Sequence, residues 1–225
     1  YPTTVEIGIG DNLLIYPWIK RLVRMNKAFT VRRGLTAHEM LRSSMLMSQY
    51  IHYAVTKKHE NIWIAQREGR AKDSDDRTKA QEFQQKRDNP AFKKSRQDDL
   101  DNMRIGIFGY KGRVNYYCGT PVNQWLDELD SSLPKNEFFQ MLAHRIDREI
   151  HRGYKLYPCN YISADLLEGK KERASHYTTA DVARFEKYLD GQIAKITIPG
   201  KDVPFLRERI LTMYANPLYN YLAAQ

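Results

Sequence analysis

Apolar and polar positions along the chain alternate between two periods, and the switches mark its elements. Residues 3–9 alternate and are rich in β-branched side chains, which predicts a strand closed by Gly8, Gly10 and Asp11. Residues 15–25 carry Ile15, Ile19, Leu22 and Val23 at helical spacing. A second short strand is predicted over 28–31. Thr36 with Glu39 three residues on forms a capping box that opens a helix to about Lys58. Its expected inner side is Met40, Leu41, Ser44, Met47, Ile51 and Ala54 or Val55. A compact apolar strand over 61–65 then runs into a polar loop over 66–78. Strand, helix, strand, helix, strand is the order of an α/β domain with a largely parallel sheet.

Further on the pattern weakens. Residues 79–103 are charged, with Phe83, Phe92 and Leu100 as sparse large apolar residues, and read as exposed helix broken at Asn89-Pro90. Residues 105–120 read as a hairpin turning at 109–112, with Val114, Tyr116 and Cys118 alternating along the second arm. An amphipathic helix is predicted over 134–152, with Phe138, Phe139, Leu142, Ile146 and Ile150 inside. Two more helices are predicted over 180–193 and 204–214, with a last turn over 218–222.

The composition fits a folded chain: 42% of the 225 residues are hydrophobic and 28% charged. No apolar run reaches the roughly 20 residues that span a bilayer. The net charge of +9 calls for anionic partners, which charge alone does not choose among. Cys118 and Cys159 lack metal-ligand spacing and read as buried thiols in a reducing compartment. Trp18, beside Pro17, suits either core packing or a lipid interface.

Two stretches carry candidate chemistry. Phe29-Thr30-Val31-Arg32-Arg33-Gly34 puts two guanidiniums at a strand end, where they can fork onto a phosphate. Glu68-Gly69-Arg70 lies in the loop after the third strand, with a carboxylate able to accept from a hydroxyl and a cation for phosphate. Ligands of parallel sheets bind outside the carboxyl ends of strands, so both stretches belong to one edge.

Together, in this order, they resemble the glycerol-phosphate and lysophosphatidate acyltransferase superfamily. Its members have a Phe-x-x-Arg-like strand end, a long helix, and a strand ending in Glu-Gly-x-Arg. Here Phe29, Arg32 and Arg33 look like the first motif. Glu68, Gly69 and Arg70 look like the second, with Arg70 following Gly69 directly. The run from Gly112 to Val122, containing Gly119-Thr120-Pro121, is similar to the family's late Gly-x-Pro strand. The whole chain looks like a longer bacterial branch.

The resemblance implies a mixed, mostly parallel sheet flanked by helices over residues 1–152, and a helical extension over 153–225. It implies transfer of a fatty acyl group from acyl-CoA or acyl carrier protein to a (lyso)glycerol-phosphate hydroxyl. Arg32, Arg33, Glu68, Gly69 and Arg70 would hold the substrate and its phosphate. The catalytic His-x-x-x-x-Asp is expected upstream of Tyr1. The match His176 to Asp181 reads instead as the approach to a helix N-terminus, and His38 and His144 as surface or packing residues on helices. The expected partners are a phospholipid precursor and an anionic membrane surface on the cytoplasmic side, with no metal, bound cofactor or nucleic acid. The alternatives are acylation of a lyso-aminolipid by the same fold, and a basic nucleic-acid- or lipid-binding module without catalysis.

Overall fold

The computed structural model describes residues 4–11, 14, 17–64, 76–110 and 112–225. These form eight α-helices and a three-stranded parallel sheet, in an α/β arrangement rich in helix. The chain divides into two compact units, Tyr1–Arg70 and Ala71–Gln225.

The first unit holds the sheet. Strand β1 (Val5–Gly10) lies at its centre, flanked by β2 (Ala28–Val31) and β3 (Asn61–Trp63), all parallel. Helix α1 (Pro17–Met25) links β1 to β2, and α2 (Ala37–Thr56) links β2 to β3. The chain thus steps from β1 to one side, then crosses back over it to the other. The capping box opens α2 as the sequence predicts: Thr36 Oγ1 accepts from the Glu39 amide, and Glu39 accepts from the Thr36 amide. Met47, Ile51 and Ala54 turn inward with Tyr50, but Met40, Leu41, Ser44 and Val55 are exposed. The inner side of α2 is therefore narrower than its apolar pattern.

One face of β1 is held by charge. Glu6 is only 6% exposed, and its carboxylate accepts from the Tyr50 hydroxyl and from Lys58 Nζ, each at 2.5 Å. Lys27, just before β2, pairs with Glu60, just before β3, at 3.1 Å. This network ties both flanking strands and the end of α2 together at the amino edge of the sheet.

The second unit is helical. Helices α3 (Asp76–Asp88), α5 (Lys135–Arg152), α6 (Pro158–Glu168) and α7 (Thr179–Ala194) all touch α8 (Val203–Ala223). The core joins Ala80, Ile162, Phe185, Leu189, Leu206 and Ile210. Burying each large side chain among them, Ala80 excepted, contributes roughly 1.5–3 kcal/mol. Ala164 and Ala215 let α6 approach α8 closely beside Leu218. Pro217 sits inside α8 and cannot donate back along the helix. Nearby, the Asn160 side chain donates to the Tyr214 carbonyl at 2.7 Å and ties α6 to α8.

Three sequence expectations change here. The hairpin over 105–120 is not formed. Ile105 to Phe108 end helix α4 (Arg96–Phe108), which a Ser95–Asp98 capping box opens. Residues 112–121 contain no strand, so the expected late Gly-x-Pro strand is irregular chain leading to a 3-10 turn at Val122–Gln124. Alternation alone does not make a strand without a neighbour to pair with. The unpredicted helix is α6: Asn160, Ser163 and Asp165 are buried on it beside Ile162 and Ala164, which erases its amphipathic signature. Last, α8 runs unbroken through the expected gap at 215–217.

Candidate functional site

The carboxyl edge of the sheet gathers the residues that follow its strands. Register pairs Gly8 with Phe29 and Gly10 with Val31, so the ends of β1 and β2 are level. Phe29 anchors this end. Its ring lies over Gly8, where a Cβ would stand 3.0 Å from Phe29 Cζ, and 5.5 Å from the ring of Tyr50 on α2. Gly8 thus lacks a side chain because the Phe29 ring takes that space.

Arg32 and Arg33 come next, and both are exposed. The Arg33 amide donates to the Asp11 carboxylate at 3.3 Å, which pins the turn after β2 to the end of β1. Gly34 follows with φ +67°, a left-handed conformation that glycine adopts at little cost. The chain then enters α2 through the Thr36 cap. Arg32 adds to the pull that holds the Glu39 carboxyl below its ordinary value; the Thr36 hydroxyl is the larger cause. Two arginines therefore follow β2 at one sheet edge, the backbone of the second tied to the end of β1. Sequence reasoning identified both arginines but not Asp11, which it took only as punctuation. A carboxylate directly after a strand, facing a basic turn on the next one, was the available signal.

The chain leaves β3 at this same edge. Glu68, Gly69 and Arg70 lie outside the described residues, as does the rest of the loop over 65–75.

The His176–Asp181 match is structural. Asp181 accepts from the Thr178 hydroxyl and amide at 2.7 and 2.9 Å and from Arg184, closing the N-terminus of α7. The His176 ring stacks on Tyr161, with centroids 4.1 Å apart. His38 and His144 are exposed on α2 and α5. Among the described residues, no three His, Cys, Asp or Glu side chains are grouped to hold a metal ion. Cys118 is exposed and Cys159 partly buried, which corrects the expectation of two buried thiols; both are free.

The second unit has a cleft of about 730 Å³, within the range of ligand pockets. Tyr116, Tyr117, Trp125, Ile146 and Ile150 give it aromatic and aliphatic walls, and Lys155 also lines it. Tyr117 sits against Gly153, where a Cβ would fall 1.9 Å from its ring. The Arg145 guanidinium covers the Trp125 ring at 5.3 Å.

No protein-family model matches the chain, and neither does any curated protein or solved structure. Among the described residues, no helix is long and apolar enough to cross a membrane.

Proposed function

We propose that the chain is the substrate-holding part of an acyltransferase that moves a fatty acyl group from acyl-CoA or acyl carrier protein to a (lyso)glycerol-phosphate hydroxyl. The observation that supports this reading is the placement of Arg32 and Arg33 directly after β2, at the carboxyl edge of a parallel sheet. That edge is where α/β sheets bind ligands, and a guanidinium pair suits a phosphate dianion. Acyl transfer needs the acceptor hydroxyl held against the thioester carbonyl. The hydroxyl oxygen forms the new ester bond, the carbon–sulfur bond breaks, and the proton passes to a base as the thiol leaves. Arg32 and Arg33 would hold the acceptor's phosphate, so that its hydroxyl is presented in one orientation. Glu68 would accept from the acceptor's hydroxyls and Arg70 would add charge at the phosphate. The reacting base is not assigned to any residue of this chain.

The test is acyl transfer by the natural protein from a labelled acyl donor to lysophosphatidate. Replacing Arg32 or Arg33 by Ala removes a charge-assisted phosphate contact and is expected to lower kcat/KM about 10- to 100-fold. Activity unchanged in both variants overturns the assignment. A wild-type enzyme that acylates a lyso-aminolipid in preference to lysophosphatidate would replace the acceptor while keeping the reaction.

A further inference from the structure

Helix α1 is short, lies on the outside of the first unit, and divides its surface three ways. Ile19 and Val23 are half-buried and face the unit. Trp18, Leu22 and Met25 are 64%, 50% and 81% exposed. Spaced at i, i+4 and i+7, they form one stripe along the helix. Lys20, Arg21 and Arg24 occupy the remaining arc, all exposed, and the helix contains no acidic residue.

Exposed apolar residues scattered singly need no explanation, but a continuous Trp-Leu-Met stripe bordered by three cations does. Core packing does not account for it, because the inward side of the helix is taken by Ile19 and Val23. Of the two settings the sequence allows Trp18, its 64% exposure excludes core packing. Tryptophan prefers the boundary between hydrocarbon and water, where its ring is buried and its N–H stays wet. Lysine and arginine beside it meet lipid phosphates, each contributing about 1 kcal/mol near an anionic surface. Stripe and cations on one helix form the pattern of an element lying in the plane of a bilayer surface.

We infer that α1 docks this chain on an anionic lipid bilayer, lying flat with Trp18, Leu22 and Met25 in the headgroup boundary and Lys20, Arg21 and Arg24 on lipid phosphates. The helix starts after β1 and returns to begin β2 parallel to it, so its Trp18 end belongs to the carboxyl edge that carries Arg32 and Arg33. Docking thus brings lipid headgroups to the same edge as the phosphate-holding pair. This deepens the acyl-transfer reading, and rests on it only in treating a docked lipid as the acceptor.

The experiment is co-sedimentation of the chain with vesicles of phosphatidylglycerol and phosphatidylcholine, and with phosphatidylcholine alone, without acyl donor. Binding is expected to the anionic vesicles. It should weaken about ten-fold or more in the double variant Leu22→Glu, Met25→Glu, with its circular dichroism unchanged. The double variant Lys20→Glu, Arg24→Glu should lose the preference for anionic lipid. Brominated acyl chains should quench the wild-type fluorescence more than that of Trp18→Phe. Three results overturn the inference: no vesicle binding, binding indifferent to the Leu22 and Met25 changes, or a dimer that these changes split while vesicle affinity stays the same. The last would assign the stripe to a second copy of the chain. Turnover on dispersed lysophosphatidate is measured separately, so loss of docking and loss of the acyl-transfer reading give different results.

Discussion

Lys58 stands 2.5 Å from the carboxylate of Glu6, which lies buried in the central strand of the sheet. The pair joins the end of α2 to β1 and completes a network that also takes the Tyr50 hydroxyl. The Lys58 ammonium and then the Tyr50 hydroxyl hold the Glu6 carboxyl below its ordinary value, and they outweigh the burial that opposes them. A carboxyl depressed in the folded state adds stability above its unfolded pKa, near 4.5. That stability is lost as the pH falls through the lower folded value. Urea unfolding of the first unit should therefore weaken below about pH 4.5, and Glu6→Gln should flatten this dependence. Tyr50→Phe should cost about 1.5–3 kcal/mol at neutral pH, as expected for a hydrogen bond to a charged group.

Glu82 makes the matching test in the second unit. Its carboxylate is 6% exposed and meets Lys79, Lys86 and Lys94 at 2.8–3.1 Å. Burial favours the neutral acid, but the three lysines prevail and bring its pKa down to about 2. The stability that this cluster adds is present above pH 4.5 and disappears as the pH falls toward 2. Glu82→Gln should be less stable at pH 7 by about 2 kcal/mol, after allowance for the exposed lysines. The difference should close in acid, as followed by thermal melts from pH 7 to pH 2.5.

How legible these elements were depends on whether local chemistry decided them. Residues 28–31 form β2 as expected, because β-branched residues end at a charged turn. Thr36 and Glu39 announce α2 because a capping box is satisfied within four residues. Arg32 and Arg33 could be placed at a sheet edge for the same reason. By contrast, α6 depends on partners outside the helix. Asn160 finds the distant Tyr214 carbonyl, and Asp165 finds Arg173 and Tyr177 beyond the helix end, so polar residues point inward and the periodicity misleads. The alternation of Val114, Tyr116 and Cys118 misleads in the opposite sense, since no strand lies alongside to use it. Asp11 escaped notice because its role appears only when β1 and β2 are paired.

His176 should be dispensable for acyl transfer. Its apparent partner Asp181 is already occupied by the Thr178 cap and by Arg184. His176→Ala is expected to leave turnover on lysophosphatidate within two-fold of wild type, on the order of the smallest changes a lost packing contact makes. Thr178→Ala removes the cap instead and should lower stability by about 1 kcal/mol with little effect on turnover. A hundred-fold loss of turnover in the His176 variant, with the fold intact by circular dichroism, would return this pair to the catalytic candidates.

Gly153 ends α5 with φ −79°, a conformation open to any residue, so its backbone does not require glycine. Space does. A Cβ there would lie 1.9 Å from Cδ1 and 2.3 Å from Cε1 of Tyr117, inside the ring's own volume. The Tyr117 ring also lines the cleft beside Trp125 and Ile150, so the two positions together set the wall of that cavity. Gly153→Ala must push the ring aside, and overpacking of this kind costs roughly 1–3 kcal/mol. Tyr117→Ala removes the obstacle at the cost of its own contacts. In the double variant the two penalties should add to less than their sum, because the added methyl no longer meets a ring. Thermal or urea unfolding of the four proteins gives the coupling directly. Additive penalties would mean that Tyr117 does not rest on Gly153 in solution, and the cleft would then lack the wall described for it.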